Sequence, residues 1–407
     1  MSRVLVYTSP AKGHLFPLVP TLEELRRRGH QVSVCTLASE VARLEALGFA
    51  AHPIAPAIEA REIDDWKASS PPAALAAACR TFVDRGQHEV ADLRASIARE
   101  SPDVLFTDVN CWGAAAAAEQ SGLPWATFAP YFLPVRGAGV PPWGMGLTPA
   151  TGPLGRLRDA ALWRVVNHLY DRALPALNAV RSAAGVAPLS HVADVATRPP
   201  CVLAYTAEPF EYPRAWPQHV HFVGPGLWEP PAQATVVSLP ADERPLVLVT
   251  CSTEFQNDGA LIEVALQALA EEPVQVVATT ASVDPALFRA PPNARVERFL
   301  PHGPLLQRAA AVVCHGGMGI TQKALSAGVP VCVVPFGRDQ LEVARHVEHC
   351  GAGARLPPKK LTAARLRAAV RDTLTRKPQA QRIAEAFRQA GGAPAAAGHL
   401  ERLAARR

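Results

Sequence analysis

The chain is predicted to fold as two α/β domains, each built on a parallel sheet. Three observations support this fold class. The 407 residues are enough for two domains of about 200 residues each. Short apolar runs alternate with helical periodicity from the start, so that residues 4–36 form a right-handed βαβ unit. The same alternation resumes after a Pro/Gly-rich stretch near residues 224–240, which is the predicted linker.

Composition excludes several classes of protein. Although 49% of residues are hydrophobic, no apolar run of about 18 uncharged residues predicts a membrane span. The start, MSRVLVYTSP, has too short an apolar core for a secretory signal. The 8 cysteines are scattered without CxxC pairs, which is typical of the reducing cytoplasm. A net charge of +5 without a concentrated basic face argues against a nucleic-acid partner.

The first βαβ unit contains a histidine in its first loop. Val4–Tyr7 is a buried-type strand, and Gln31–Thr36 is the next one. The helix between them is indicated by leucines at helical spacing: Leu15, Leu18, Leu22 and Leu25. The connecting loop, SPAKGHLFP, is not the GxGxxG dinucleotide fingerprint. Its His14 lies at the carboxyl edge of the sheet, where a histidine is by default a helix-capping or solvated residue.

Acidic residues occur at two places in the first half. The run VLFTD predicts a strand that ends at Asp108, and an acid there is often only a helix N-cap. Asp64 and Asp65 are adjacent in a polar loop, where acids are usually solvated, so we do not assign a metal site to them.

The rest of the first half contains one long irregular stretch. Residues 130–153 are rich in Pro, Gly, Trp and Phe without a clear period, and such a stretch in a compact domain is usually functional. It follows a strand at Trp125–Phe128. A helical segment is predicted over residues 159–184, and a last strand over 202–206.

The second half repeats the α/β pattern. Strands are predicted over residues 246–250 and 274–279, with a helix from residue 260 between them. Later helices are predicted over 361–374 and from residue 379 onwards. The hydroxyls of Ser252 and Thr253 follow the first of these strands, where hydroxyls are commonly N-caps.

Residues 311–340 form the most informative segment. The apolar run Val312–Cys314 ends at His315 and is followed by Gly316, Gly317 and Gly319; a helix then runs to about residue 327, and a strand over 331–334. Strand, glycine turn and helix N-terminus together favour a diphosphate, because free N–H groups and the helix dipole attract negative charge. Asp339 and Gln340 follow the next strand, at the sheet edge where open α/β sheets bind ligands. The alternative is a turn that only packs a helix onto the sheet.

The segment HGGMGITQKALSAGVPVCVVPFGRDQ, together with GHLFP and DVLFTD, resembles the signature of family 1 glycosyltransferases, the UDP-glycosyltransferase superfamily that includes bacterial macrolide and other natural-product enzymes. The resemblance implies a GT-B fold, in which two Rossmann-like domains face each other across a cleft. It also implies inverting transfer of a sugar from a nucleotide sugar, without a metal ion or any cofactor beyond that co-substrate.

The resemblance implies roles for particular residues. His14 would be the catalytic base, and Asp108 would hold its imidazole. The diphosphate would be bound by Ser252, Thr253, His315, Gly316, Gly317, Met318, Gly319 and Ile320. The base and ribose would be bound by Phe299, Leu300, His302 and Lys323, and the sugar by Asp339 and Gln340. The candidates for the acceptor pocket are Phe16, Trp66, Phe82, Trp112, Phe132, Trp143 and Met145.

Two positions depart from the family pattern. His302 replaces the usual glutamine beside the base, and Lys323 replaces the glutamate that usually accepts from the ribose hydroxyls. An ammonium group cannot accept hydrogen bonds, so a dTDP-linked donor becomes a candidate beside a UDP-linked one. The alternative is that Lys323 points into solvent and another group, such as Gln322, holds the ribose.

The predicted organisation assigns residues 1–223 to acceptor binding, 224–240 to the linker, 241–378 to donor binding and 379–407 to a C-terminal helix that returns to the first domain. The partners would be a nucleotide sugar and a small apolar acceptor, aromatic or polyketide-like, with a monomer or homodimer as the active form. A nucleotide-sugar epimerase, a lipid-linked sugar transferase and a non-catalytic sugar-nucleotide-binding partner remain alternatives. The presence of both His14 and Asp108 with the Asp–Gln pair favours acceptor glycosylation.

Overall fold

The computed structural model describes residues 1–68, 70–150, 152–230, 243–252, 259–281 and 283–405, and of Trp66 and Pro71 it describes the backbone alone. Across these ranges the chain forms two parallel sheets, one from each half, with helices on their faces. The predicted two-domain α/β fold is therefore confirmed. Within the described ranges, no helix has the length and apolar character needed to cross a membrane.

The first sheet runs through the N-terminal half. Its strands are β1 (Arg3–Tyr7), β2 (Gln31–Thr36), β3 (Ala50–Pro53), β4 (Val104–Asp108), β5 (Trp125–Ala129), β6 (Val202–Ala204) and β7 (Val220–Phe222). They lie in the order β3-β2-β1-β4-β5-β6-β7, all parallel. The central strands β4 and β5 are buried along their whole length, because helices cover both faces of the sheet.

The helices of this half connect successive strands. They are α1 (Lys12–Leu15), α2 (Val19–Arg27), α3 (Ala38–Ala46), α4 (Pro56–Glu59), α5 (Pro71–Glu100), α6 (Trp112–Ser121), α7 (Pro153–Tyr170) and α8 (Leu174–Ala184). The helical segment predicted over 159–184 is thus two helices, joined by a 3₁₀ turn at Asp171–Ala173. Pro175 lies in the first turn of α8, where its missing N–H costs no hydrogen bond.

The second sheet is built from the C-terminal half. Its strands are β8 (Leu246–Thr250), β9 (Gln275–Thr279), β10 (Ala294–Glu297), β11 (Ala309–Cys314), β12 (Val331–Val333) and β13 (Gly353–Arg355), in the parallel order β10-β9-β8-β11-β12-β13. The helices are α9 (Gly259–Leu269), α10 (His302–Leu306), α11 (Met318–Ser326), α12 (Gln340–His349), α13 (Ala363–Leu374), α14 (Lys377–Gln389) and α15 (Gly392–Ala404).

Each sheet has one point at which the strand order reverses. In the first sheet it lies between β1 and β4, and in the second between β8 and β11. Chains leaving the carboxyl ends of such a pair diverge to opposite faces and leave a crevice, which is where open α/β sheets bind ligands. Two binding sites are therefore expected, one in each domain.

The last helix returns to the first half of the chain. Its apolar residues Ala396, Ala397, Leu400 and Leu403 lie in the same core cluster as Leu18, Leu22 and Leu25. At its far end, Glu401 accepts hydrogen bonds from Arg28 at 2.8 Å and pairs with His30 at 2.9 Å. The helical stretch predicted from residue 379 is broken into α14 and α15 at Gly391 and Gly392, which both have positive φ.

Candidate active site

His14 and Asp108 meet at the switch point of the first sheet. His14 lies in α1, directly after β1, and Asp108 is the last residue of β4, which pairs with β1. Nδ1 of His14 lies 2.8 Å from Oδ2 and 3.1 Å from Oδ1 of Asp108. The His14 side chain is 16% exposed, and that of Asp108 is 0% exposed. The imidazole thus reaches solvent, while the carboxylate behind it does not.

The Asp108 carboxylate is held by further hydrogen bonds. Oδ2 accepts from the backbone N–H and the hydroxyl of Ser9 at 3.1 and 2.8 Å, and Oδ1 accepts from the N–H of Asn110 at 2.8 Å. Burial acts to raise the pKa of Asp108, but the charge of His14 and these hydrogen bonds together lower it below its ordinary value. An ionised Asp108 accepts from Nδ1–H of His14, which leaves Nε2 as the ring atom able to take a proton.

Asn110 and Tyr131 complete the surroundings of His14, and sequence reasoning missed both. The Tyr131 hydroxyl donates to Oδ1 of Asn110 at 2.6 Å, and this orients the amide so that Nδ2 faces Nε2 of His14 at 3.4 Å. Burial, followed by the charge of Asp108, raises the pKa of Tyr131 well above its ordinary value, so the phenol stays a donor. The sequence signal that could have indicated Asn110 is its position two residues after Asp108, the acid that ends β4.

The glycine turn lies at the switch point of the second sheet. After β11, residues 315–317 turn the chain into α11. Gly316 has a φ of +96°, and a Cβ there would lie 2.6 Å from Cγ1 of Val333, so the turn requires glycine. At Gly319, apart from its chain neighbours and the backbone of its own helix, no described atom lies within 4 Å of where a Cβ would be. The described residues therefore leave the first turn of α11 open on this side, as an anion-binding helix N-terminus needs.

The other predicted diphosphate residues surround this turn. Ser252 and His315 follow the neighbouring strands β8 and β11 at one edge of the sheet, and their exposures are 4% and 7%. The side chain of Met318 packs in the core and that of Ile320 against it, so these two residues can offer backbone N–H groups only. Thr253 lies outside the described residues.

Asp339 and Gln340 stand at the start of α12 with different surroundings. Gln340 is 2% exposed, and its Oε1 accepts from the N–H groups of Phe336 and Gly337 at 2.7 and 3.1 Å. Its amide therefore stabilises the turn before α12. Burial raises the pKa of Asp339, and the charge of His14, from the other domain, is among those that oppose this rise.

The predicted base-binding residues lie at and just before α10. Phe299 is 59% exposed, as a ring that stacks on a ligand must be, whereas Leu300 is 1% exposed and offers only its backbone. His302 begins α10, and its Nε2 lies 3.2 Å from Oγ1 of Thr279. Burial lowers the pKa of His302 to about 4, so the imidazole is neutral at physiological pH.

Lys323 forms an ion pair with an acid that sequence reasoning missed. Its Nζ lies 2.9 Å from Oε1 of Glu229, and Oε2 of Glu229 accepts from the N–H of Gly303 at 3.2 Å. Glu229 belongs to the stretch that leads from the first sheet towards the second. Because it lies 94 positions from Lys323 in a Pro/Gly-rich segment, no local pattern connects the two.

The predicted acceptor residues from the long loop differ in exposure and packing. Trp143 packs on Tyr131, with ring centroids 5.9 Å apart, and Met145 is 40% exposed. Phe132 is 1% exposed, and its ring stacks on His346 inside the core, with ring centroids 3.8 Å apart. Its side chain therefore packs the core, and its part in an acceptor pocket stays a prediction.

The other acceptor candidates pack in aromatic pairs. Phe16 lies 5.1 Å from Trp228, and Phe82 lies 5.2 Å from Trp112, measured between ring centroids. Trp112 is 7% exposed, so only Phe82 of that pair offers an appreciable surface. The side chain of Trp66 lies outside the described part of the structure.

The predicted acceptor loop is attached to the helix that follows Asp339. Oε2 of Glu342 accepts from the N–H groups of Gly144 and Gly146, both at 3.0 Å. Nε of Arg345 donates to the carbonyl of Gly146 at 2.9 Å. Both charged residues lie on α12, so the helix that begins beside the predicted sugar-binding pair also fixes the backbone of the predicted acceptor loop.

Among the described residues, one group of side chains has ligand atoms close enough to share a metal ion. Cys201, His221 and His399 have such atoms within 4.8 Å of one another. Cys201 directly precedes β6, at the amino edge of the first sheet, whereas His14 and Asp108 lie at the carboxyl edge.

The sequence is similar to a known family model and to known proteins. A family model described as "Erythromycin biosynthesis protein CIII-like, C-terminal domain" matches residues 263–398. The chain is 33% identical over 387 residues to 4'-demethylrebeccamycin synthase of Lentzea aerocolonigenes, covering 92% of each chain. A PGL/p-HBAD biosynthesis glycosyltransferase of Mycobacterium tuberculosis is 38% identical over 176 residues, which are 42% of this chain and 40% of that protein.

Solved structures show the same fold. The crystal structure of the glycosyltransferase of kitacinnamycin superposes with a TM-score of 0.80 at 24% identity, covering 99% of this chain and 98% of that one. The glycosyltransferase VinC in complex with dTDP gives a TM-score of 0.70 at 23% identity, over the full length of both chains. With the two switch-point sites, these relatives identify the chain as a glycosyltransferase of family 1, with the GT-B fold and bacterial natural-product enzymes among its relatives.

Proposed function

We propose that this glycosyltransferase is inverting and metal-independent, and that it moves a hexose from a dTDP- or UDP-linked donor to a hydroxyl group of an apolar, aromatic or polyketide natural product. One observation supports this above all. The His14–Asp108 pair lies at the switch point of one sheet, and the glycine turn before α11 lies at that of the other. Transfer between two bound substrates requires a base for one and an anion site for the other, and these two sites lie on opposite domains.

The proposed reaction uses His14 as a general base. The acceptor hydroxyl gives its proton to Nε2, while its oxygen bonds to the anomeric carbon. The bond from that carbon to the diphosphate oxygen breaks, and its electron pair leaves with the diphosphate. Attack from the face opposite the leaving group inverts the anomeric centre. Asp108, 2.8 Å from Nδ1, stabilises the imidazolium that forms.

The departing diphosphate would be stabilised without a metal ion. The N–H groups of the first turn of α11, the His315 imidazole and the Ser252 hydroxyl are hydrogen-bond donors at this edge of the sheet. Asp339 would accept from the sugar hydroxyls. The side chain of Gln340 is used within its own turn, so we assign it a supporting part.

The donor and acceptor classes rest on relatives. The solved structures of the glycosyltransferases VinC and SsfS6 are complexes with dTDP, that is, thymidine diphosphate, and the rebeccamycin relative is named for a natural product. Tyr131 places an aromatic ring beside His14, and Trp143 packs on Tyr131, which suits an apolar acceptor.

The test is product formation with UDP-glucose and dTDP-glucose against a panel of phenols and polyketides, followed by mass spectrometry. Glycosides should form with the wild type and be lost in His14→Ala. His191→Ala is a matched control, because His191 also lies 2.8 Å from an aspartate, Asp171, but on the surface. The anomeric configuration of the product, read by NMR, should be opposite to that of the donor. Retention, or turnover that persists in His14→Ala, would contradict the proposal.

A further inference from the structure

The residues that precede the second sheet pass through the seam between the two domains. A Cβ at Gly226 would lie 1.7 Å from the carbonyl oxygen of Pro17, so the backbone is pressed against the first domain here. Trp228 then packs on Phe16, with ring centroids 5.1 Å apart. Glu229, the next residue, points to the other side, where Lys323 and the first turn of α10 belong to the second domain. The position of Glu229 is therefore fixed from both sides.

The Glu229 carboxylate keeps capacity for further hydrogen bonds. A carboxylate has about four lone-pair sites, and the contacts to Lys323 and Gly303 use one on each oxygen. Its side chain is 25% exposed and that of Lys323 is 24% exposed, so a ligand can reach the pair. Burial acts to raise the pKa of Glu229, but the Lys323 charge and the two hydrogen bonds lower it overall, so the group stays ionised.

The pair lies where a nucleoside would follow the diphosphate. Lys323 is four residues beyond Gly319 on α11, which corresponds to about 6 Å along the helix axis. This is about the span from a diphosphate to the ring of the attached pentose. The exposed ring of Phe299 and the neutral His302 lie on the segment that leads into Gly303, whose N–H donates to Glu229. A pentose next to this diphosphate site would therefore meet Glu229.

We propose that Glu229 accepts hydrogen bonds from the pentose hydroxyls of the nucleotide, held in place by Lys323. This inference rests on the proposed donor site at α11. With ribose, the carboxylate accepts from the 2′- and 3′-hydroxyls, and with deoxyribose from the 3′-hydroxyl alone. Lys323 thus positions an acceptor although it cannot itself accept, and a ribonucleotide gains one contact that a deoxyribonucleotide lacks.

Gln322 is the other candidate for binding the pentose, but its side-chain amide already forms a hydrogen bond within the protein. Gln322, the neighbour of Lys323, is 5% exposed, and its Nε2 donates to the carbonyl of Tyr205 in the first domain at 2.8 Å. Its side chain therefore points away from the ligand side of α11.

The experiment measures dissociation constants by calorimetry for UDP, dUDP and dTDP. UDP and dUDP differ only in the 2′-hydroxyl, so their ratio reports the contact to that group, while dTDP adds the effect of the base methyl. The variants are Glu229→Gln and Lys323→Met. Glu272→Gln is the matched control, because Glu272 also forms an ion pair in the second domain, with Arg371 at 2.8 Å, but at the amino edge of the sheet. Thermal melts check that each variant is folded.

The wild type should bind UDP about tenfold or more tightly than dUDP, because one charge-assisted hydrogen bond is involved. In Glu229→Gln and Lys323→Met this preference should fall to within about threefold of unity, and in Glu272→Gln it should stay. An unchanged preference in Glu229→Gln, or equal binding of UDP and dUDP by the wild type, overturns the inference while the proposed function stands. Absence of any nucleoside diphosphate binding by the wild type overturns both.

Discussion

Replacing Asp108 by asparagine tests both the reaction and the way the carboxylate is held. In the wild type, each carboxylate oxygen accepts hydrogen bonds: Oδ2 from Ser9 and His14, and Oδ1 from Asn110. An asparagine amide puts an NH₂ group in place of one of them. Whichever oxygen the NH₂ group replaces, at least one N–H group that donated to this oxygen then faces another donor at a fully buried position.

Both effects have a calculable size. A buried donor left without an acceptor costs about 1–3 kcal/mol, so the free energy of unfolding of Asp108→Asn should fall by that amount. Loss of one charge-assisted bond to the imidazolium costs about 1.5–3 kcal/mol in the transition state, which is about 10- to 150-fold in kcat. His14→Ala removes the base itself and should cost more, about 10²- to 10⁴-fold, with donor binding nearly intact.

The pH dependence of the free energy of unfolding gives an independent test of how the Asp108 carboxylate is held. The pKa of Asp108 is lowered in the folded protein, so its pairing stabilises the fold above the ordinary aspartate pKa, and this stabilisation is lost as the pH falls through the lowered value. Asp108→Asn should therefore lose less stability than the wild type on acidification below about pH 4.

The assays are chemical denaturation across pH and steady-state kinetics with saturating donor, with Asp171→Asn as the control because Asp171 also pairs with a histidine, His191, on the surface. A folded Asp108→Asn variant that is as inactive as His14→Ala would refute the purely supporting role of Asp108. An unchanged kcat would refute the pairing as part of the reaction.

Two further predictions follow from the site. Activity should survive exhaustive EDTA treatment, as no metal takes part in the proposed reaction; loss with EDTA and rescue by magnesium or manganese contradicts the scheme, and Cys201→Ser separates any effect of metal bound at the remote Cys–His group from one at the cleft. Phe132→Ala should lower the free energy of unfolding by about 3–5 kcal/mol, measured by denaturation, because Phe132 is a fully buried ring stacked on His346. A stable Phe132→Ala variant with a raised acceptor KM would restore Phe132 to the acceptor pocket.

Much of the fold could be predicted from the sequence, because its strands are short apolar runs bounded by turn residues. The runs VLFTD and AAVVC predict buried strands, and the residues that follow them lie at the sheet edges where strand order reverses. Local patterns therefore placed His14, Asp108 and the glycine turn.

Residues whose roles depend on distant contacts could not be predicted in this way. Glu229 and Asn110 are positioned by their contacts with Lys323 and Tyr131, respectively. No local periodic pattern in the sequence connects either residue with its partner. The burial of Phe132 could not be predicted for a related reason, because an aromatic residue in an irregular loop looks the same in sequence whether it faces a pocket or the core. Its burial depends on His346, which is more than two hundred positions away.

The attachment of the predicted acceptor loop to α12 has a consequence for exchanging parts between relatives. A chimaera that takes its N-terminal half from one enzyme and its C-terminal half from another separates Gly144 and Gly146 from Glu342 and Arg345. Glu342 and Arg345 then meet a foreign loop in place of the backbone groups that they bind here. A functional exchange of C-terminal halves therefore has to transfer the loop segment around residues 144–146 together with α12, although the two are almost two hundred positions apart.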